Sequence, residues 1–163
     1  MIKRLIAPLI ATCLVASLAL GLPDHQAAAV GGDNVVTAAG AGLFPTGASF
    51  QGIEIAGGTF GLGVQTSGTG QANGDLELQL NGSSLIGLSQ WITVTGWITS
   101  GTVNPDNSVT LNGTGTLDLG DGTAPTGGLA LTATLTATGL TVTIGGNAIP
   151  TLPKSDGWIN IEL

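Results

Sequence analysis

The sequence predicts an all-β fold, a single antiparallel β-sandwich or small β-barrel that follows a cleaved N-terminal signal helix. Three observations carry this expectation. Past Val30 no apolar spacing of three and four residues recurs, and short runs of alternating apolar and polar residues take its place. Those runs are punctuated by Gly, Asn, Asp and Pro, the residues that tight turns select, and the 163-residue chain carries 28 glycines. The first 29 residues have a different character from everything after them.

In that leader Lys3 and Arg4 precede an apolar run from Leu5 to Leu22, and Ala27-Ala28-Ala29 follows. A basic start, an apolar middle and a small-residue site define a secretory signal peptide over residues 1–29, with Ala27 and Ala29 at the two recognition positions. A bilayer span takes about 20 apolar residues; this run is shorter and contains Pro8. Cys13 is an ordinary apolar residue of the leader, because Thr12 stands where a lipid-attachment site wants a smaller residue.

The domain then covers residues 30–163. Strands are expected at Asn34 to Ala39, Phe50 to Ile55 and Thr59 to Gln65. Asp75 to Leu80 alternates cleanly, with Leu76, Leu78 and Leu80 inward and Asp75, Glu77 and Gln79 outward. Ser89 to Ser100 reads as a longer strand, and Asn104 to Ser108 as a hairpin loop between Val103 and Val109. Gly113 to Leu119 and Leu129 to Thr136 are joined across Gly120-Asp121-Gly122. Leu140, Val142 and Ile144 share a face ahead of a Gly145-Gly146 turn, and Trp158 to Leu163 closes the chain. Asn81-Gly82-Ser83 and Asn112-Gly113-Thr114 have the form of glycosylation sequons and read as turns. No fixed repeat and no linker divides the chain, so one domain is expected.

Composition narrows function mainly by exclusion. After Val30 one lysine stands against nine carboxylates, a net charge of −8. Nucleic acids and anionic membrane surfaces select Lys and Arg, so neither is expected as a partner, and no membrane association is expected once the leader is removed. The domain has no His, Cys, Tyr or Arg. It therefore lacks the usual base near neutral pH, a thiolate nucleophile and an imidazole metal ligand. A non-enzymatic binding or structural module is expected, secreted or held at the cell envelope, with a glycan or envelope component as its partner. A cysteine-free exported domain suits a bacterial setting.

Three constellations compete for a role. Trp91 and Trp97, six residues apart on one strand, share a face with Thr93 and Thr95, while Ile92, Val94 and Ile98 take the other. Their rings would stand about 20 Å apart and offer flat apolar area to sugar rings, as in a carbohydrate-binding module. Asp118 and Asp121 flank a glycine turn that could contribute to a calcium site, although the EF-hand pattern is absent; the alternative is a hairpin turn and no cofactor. Asp75, Glu77, Asp118 and Asp121 are the carboxylates a two-acid hydrolase would draw on. Threonines at 132, 134, 136 and 138 recur with period two, a pattern that ordinary strand preference accounts for.

Four segments carry a resemblance. Thr59-Phe60-Gly61-Leu62-Gly63-Val64, Gly74-Asp75-Leu76-Glu77, Val94-Thr95-Gly96-Trp97-Ile98 and Gly157-Trp158-Ile159-Asn160-Ile161 follow one another in order. Over about Gly57 to Leu163 the chain resembles the post-COAP type of small secreted bacterial domain. The chain departs from that pattern after Gly127-Gly128, where an aspartate is missing. The resemblance implies an exported antiparallel β-domain and carries no catalytic residue over to this chain.

Overall fold

A period-two pattern becomes structure only when one face of a strand is dry and the other wet, and Asp75 to Leu80 meets that condition. Leu76, Leu78 and Leu80 are buried, and Asp75, Glu77 and Gln79 are exposed. The same division runs through a computed structural model that describes residues 34–162. Its strands are β1 (Asn34–Leu43), β2 (Ser49–Phe50), β3 (Ile53–Thr66), β4 (Gln71–Ser83), β5 (Ser89–Val103), β6 (Val109–Asp118), β7 (Thr126–Thr136), β8 (Gly139–Ile144), β9 (Asn147–Pro153) and β10 (Asp156–Glu162). The expected signal helix and its cleavage residues Ala27 and Ala29 lie outside the described residues.

All pairings are antiparallel, in the spatial order β10-β1-β3-β4-β5-β6-β7-β8-β9, with the short β2 on β3. From β3 to β9 the chain is a meander in which each strand pairs with the next, the simplest route for short turns. The single sheet curls into a half-barrel, so a barrel-like architecture forms rather than two facing sheets. The inner face collects Val36, Phe60, Leu62, Leu78, Ile92, Val94, Ile98, Leu111, Leu131, Leu135, Val142, Ile144 and Leu152 into one core. Each such side chain contributes roughly 1.5–3 kcal/mol on leaving water, enough to hold the sheet without a disulfide.

The sheet edges are β9 and β10, consecutive strands joined through Lys154-Ser155. At that corner the chain reaches β1: the Ser155 amide donates to the Ala41 carbonyl at 2.9 Å, and its hydroxyl donates to the same oxygen at 3.1 Å. The Lys154 amide donates to the Thr138 carbonyl at 2.7 Å. The curl is thus pinned at one end by the bend that links its two edges.

Several local expectations are corrected. The run Phe50 to Ile55 is not one strand. Gln51 and Gly52 take positive φ (50° and 82°) and turn the chain, and β3 then runs unbroken from Ile53 through the glycines that had read as a gap. A bulge between Ile55 and Gly57 absorbs the irregularity. Asn147–Pro153 forms a strand that was not anticipated; it contains Pro150 and Pro153, and as an edge strand β9 tolerates residues without an amide donor. The two sequon-like triplets are not turns. Asn81 pairs with Trp91 and Asn112 with Ser100 inside β4 and β6, where an outward Asn is solvated and costs nothing.

Candidate functional site

On the outer face the register of β4, β5 and β6 sets two rows of side chains across three strands. Asp75, Trp97 and Thr114 form one row, and Glu77, Thr95 and Thr116 the next. Trp97 points outward because Ile98 and Val94, of opposite phase on β5, fill the core. The rows line an open groove of about 540 Å³, with Gly128 from the β7 end at its rim. Trp97 is 53% exposed, so about half of its surface is open to solvent and not packed in the core.

Both carboxylates of the groove stand on β4, two residues apart and hence about 7 Å along the strand. The Gln79 side-chain amide donates to Glu77 at 2.8 Å, which fixes that carboxylate beside its neighbour. The walls facing them carry hydroxyls and the indole. Two-acid glycoside hydrolysis places its carboxylates on either side of the scissile bond, whereas Asp75 and Glu77 stand on one strand, along one wall of the groove. As an arrangement for binding, the groove has what a sugar ring uses: one flat apolar face with hydroxyl and carboxylate acceptors around it.

The structure separates the two tryptophans that share β5. Trp91 is also exposed, at 63%, and on the same face, but it does not line the groove. It pairs with Asn81 at the other end of the strand, with the backbone of Gly120 against its own. Trp158 is outward on β10, opposite Ala39.

Asp118 and Asp121 accept hydrogen bonds from different residues of the turn. The Gly120 amide donates to Asp118 at 2.8 Å, while Asp121 accepts from the Thr123 amide at 2.9 Å and the Thr123 hydroxyl at 2.6 Å. The Thr123 hydroxyl, with help from its amide, holds the Asp121 carboxyl below the ordinary aspartate range. Each acid thus stabilises its own turn, and among the described residues no three metal-ligating side chains come together.

The period-two threonines extend across strands. Thr102, Thr110, Thr134 and Thr141 are register neighbours on β5 to β8, and Thr141 shares a hydrogen bond of 2.8 Å with Thr151 of β9.

Thr114 and Thr116 were not singled out from sequence. Their alternation marks them as outward, but only the pairing of β6 with β5 places them beside Trp97. Compared with protein-family models, curated proteins and solved structures, the chain matches none.

Proposed function

We propose that this is a non-enzymatic glycan-binding domain of an exported protein, with the sugar stacked on Trp97 in the groove between β4 and β6. The observation that carries this reading is the exposed indole of Trp97, in register with Asp75 on one side and Thr114 on the other. A large aromatic ring left half in water contributes little to folding; stacked on a pyranose it removes that area from water. The carboxylates and the hydroxyls of Thr95, Thr114 and Thr116 supply acceptors and donors for ring hydroxyls. The leader expected over residues 1–29 places such a domain outside the cell or at its envelope, where glycans are the abundant surface.

The reading narrows the two-tryptophan platform to Trp97 alone. A glycan array screened with the full chain, followed by titration of the best ligand, tests it. Trp97→Ala should weaken binding by about tenfold or more, since covering on the order of 80 Å² of indole contributes about 2 kcal/mol, whereas Trp91→Ala should leave it unchanged. Binding that survives Trp97→Ala overturns the assignment. Turnover of a bound glycan that is lost in Glu77→Gln would instead make the groove catalytic.

A further inference from the structure

Three hairpin turns of this sheet share one backbone geometry. In Ser67–Gln71, Ser84–Leu88 and Asn104–Ser108 the first residue's amide donates to the fifth residue's carbonyl, at 2.8, 2.9 and 2.8 Å. In each, the fourth residue's amide donates back to the first residue's carbonyl, at 3.0, 2.8 and 3.0 Å. The fourth residue has positive φ in all three: Gly70 at 82°, Gly87 at 77° and Asn107 at 62°. The two central residues are Gly68-Thr69 in the first turn and Pro105-Asp106 in the third, ordinary turn chemistry. In the second they are Leu85 and Ile86.

Leu85 is 97% exposed, Ile86 81% and Leu88 63%. The fold does not require them, because the same geometry is built twice elsewhere in this molecule without them. Nor do they contribute to the core, which lies on the inner face of the sheet. Behind the turn, at the same end of the sheet, the outer face continues as Leu43, Asn81 and Trp91, with the Leu43 side chain lying over Gly57. Residues 78–105 include no Asp, Glu, Lys or Arg. Glu54, exposed and in register with Ser83, sets a carboxylate just behind the turn, so an acidic domain ends in aliphatic groups at the apex with an indole and that carboxylate at the base.

We propose that the β4–β5 tip docks the domain onto an electrically neutral lipid bilayer, with Leu85, Ile86 and Leu88 among the acyl chains and Trp91 at the headgroup level. Aliphatic residues outermost and tryptophan behind them is the order in which a membrane interface accepts side chains. The charge argument against anionic membranes holds for the body of the domain, and Glu54 extends it to the base of the tip, whereas the apex from Leu85 to Leu88 carries no charge and suits a neutral surface. Asp118 and Asp121, in the loop whose Gly120 packs on Trp91, disfavour an anionic surface at the base. A second copy of the chain is a poorer occupant. The tip exposes on the order of 500 Å² of apolar area, short of the roughly 800 Å² per partner of a stable protein interface. The three aliphatic side chains hold about as much hydrocarbon as one acyl anchor, which gives reversible binding with an association constant on the order of 10⁴ M⁻¹.

The test uses the full chain with Trp97→Phe and Trp158→Phe, so that Trp91 alone reports. β1 begins at the end of the sheet opposite the tip, so attachment through the leader does not by itself bring Trp91 to the bilayer. Phosphatidylcholine vesicles with brominated acyl chains should quench Trp91, with half of the effect near 0.1 mM lipid, on the order expected for a single anchor. Leu85→Gly with Ile86→Thr writes the central pair of the Ser67–Gln71 turn into the same geometry, keeps the fold, and should abolish the quenching. Replacing half of the lipid with phosphatidylglycerol at low salt should reduce it. Trp91 emission unmoved by millimolar brominated lipid overturns the proposal, as does equal quenching in the double variant. Concentration-dependent self-association that the double variant removes, without vesicle quenching, assigns the tip to a second copy and also overturns it.

Discussion

Gly42→Ala probes the corner at which the curled sheet is pinned. A methyl group on Gly42 would lie 1.6 Å from the Pro153 carbonyl oxygen and 2.8 Å from its carbon, so the obstacle is backbone and cannot rotate away. β1 and the β9–β10 bend must separate to admit it. Forced overpacking typically costs about 1–3 kcal/mol. Separation also stretches the two Ser155 hydrogen bonds to Ala41, each contributing about 0.5–1.5 kcal/mol. A loss of roughly 2–4 kcal/mol is therefore expected, or about 8–15 °C in Tm for a domain of this size. Gly61→Ala is the control: no atom lies within 4 Å of its added methyl, its φ is not positive, and it sits within β3. Alanine in a strand interior is favoured over glycine by about 0.5–1 kcal/mol, so this variant should match or exceed the parent. Urea unfolding followed by circular dichroism measures both. A Gly42→Ala protein within about 0.5 kcal/mol of the parent, ordinary scatter for a surface change, would falsify the pinned corner.

The turn carboxylates give a pH dependence with a definite sign. The Ser108 hydroxyl and amide donate to Asp106, as Thr123 does to Asp121, and both acids are held below the ordinary aspartate value. Because the folded-state value is depressed, their contribution is complete above the unfolded value of about 3.9 and is lost as pH falls through the folded one. Carboxyl-carbon NMR should show both titrating below pH 3.9, and a midpoint for Asp121 at or above that value refutes the turn-carboxylate account. Calcium should leave the melting temperature where EGTA leaves it, since Asp118 and Asp121 serve separate turns. A calcium-dependent rise that is lost in Asp121→Asn would show the loop rearranging into a site.

Much of the sheet was legible because alternation is a local signal. β4 to β8 announce their inner faces through Leu, Ile and Val at alternate positions, interrupted by glycines such as Gly74, Gly96, Gly113 and Gly115, and the burial of those apolar residues follows that phase. The outward phase of Trp97 was legible for the same reason. β9 was hidden because Pro150 and Pro153 argue against a strand unless its position at the sheet edge is known. The turn at Gln51-Gly52 was hidden because Phe50 and Ile53 are both apolar, and apolar pattern alone does not show a reversal between them.

Register between strands was beyond the sequence. Nothing in Asp75, Trp97 and Thr114, which lie far apart along the chain, says that they meet in one row. A shift of one residue in either pairing would turn one strand's groove side chains into the core. The sequence by itself determined the strand phases, the acidity of the domain and the absence of imidazole, thiol, phenol and guanidinium chemistry after Val30. Only the tertiary structure decided that Trp97 lines the groove while Trp91 lies outside it, and that Leu85 and Ile86 occupy a turn that two sister turns build without them. The physical reason is that composition and period are properties of neighbours in the chain, while a site is made by neighbours in space.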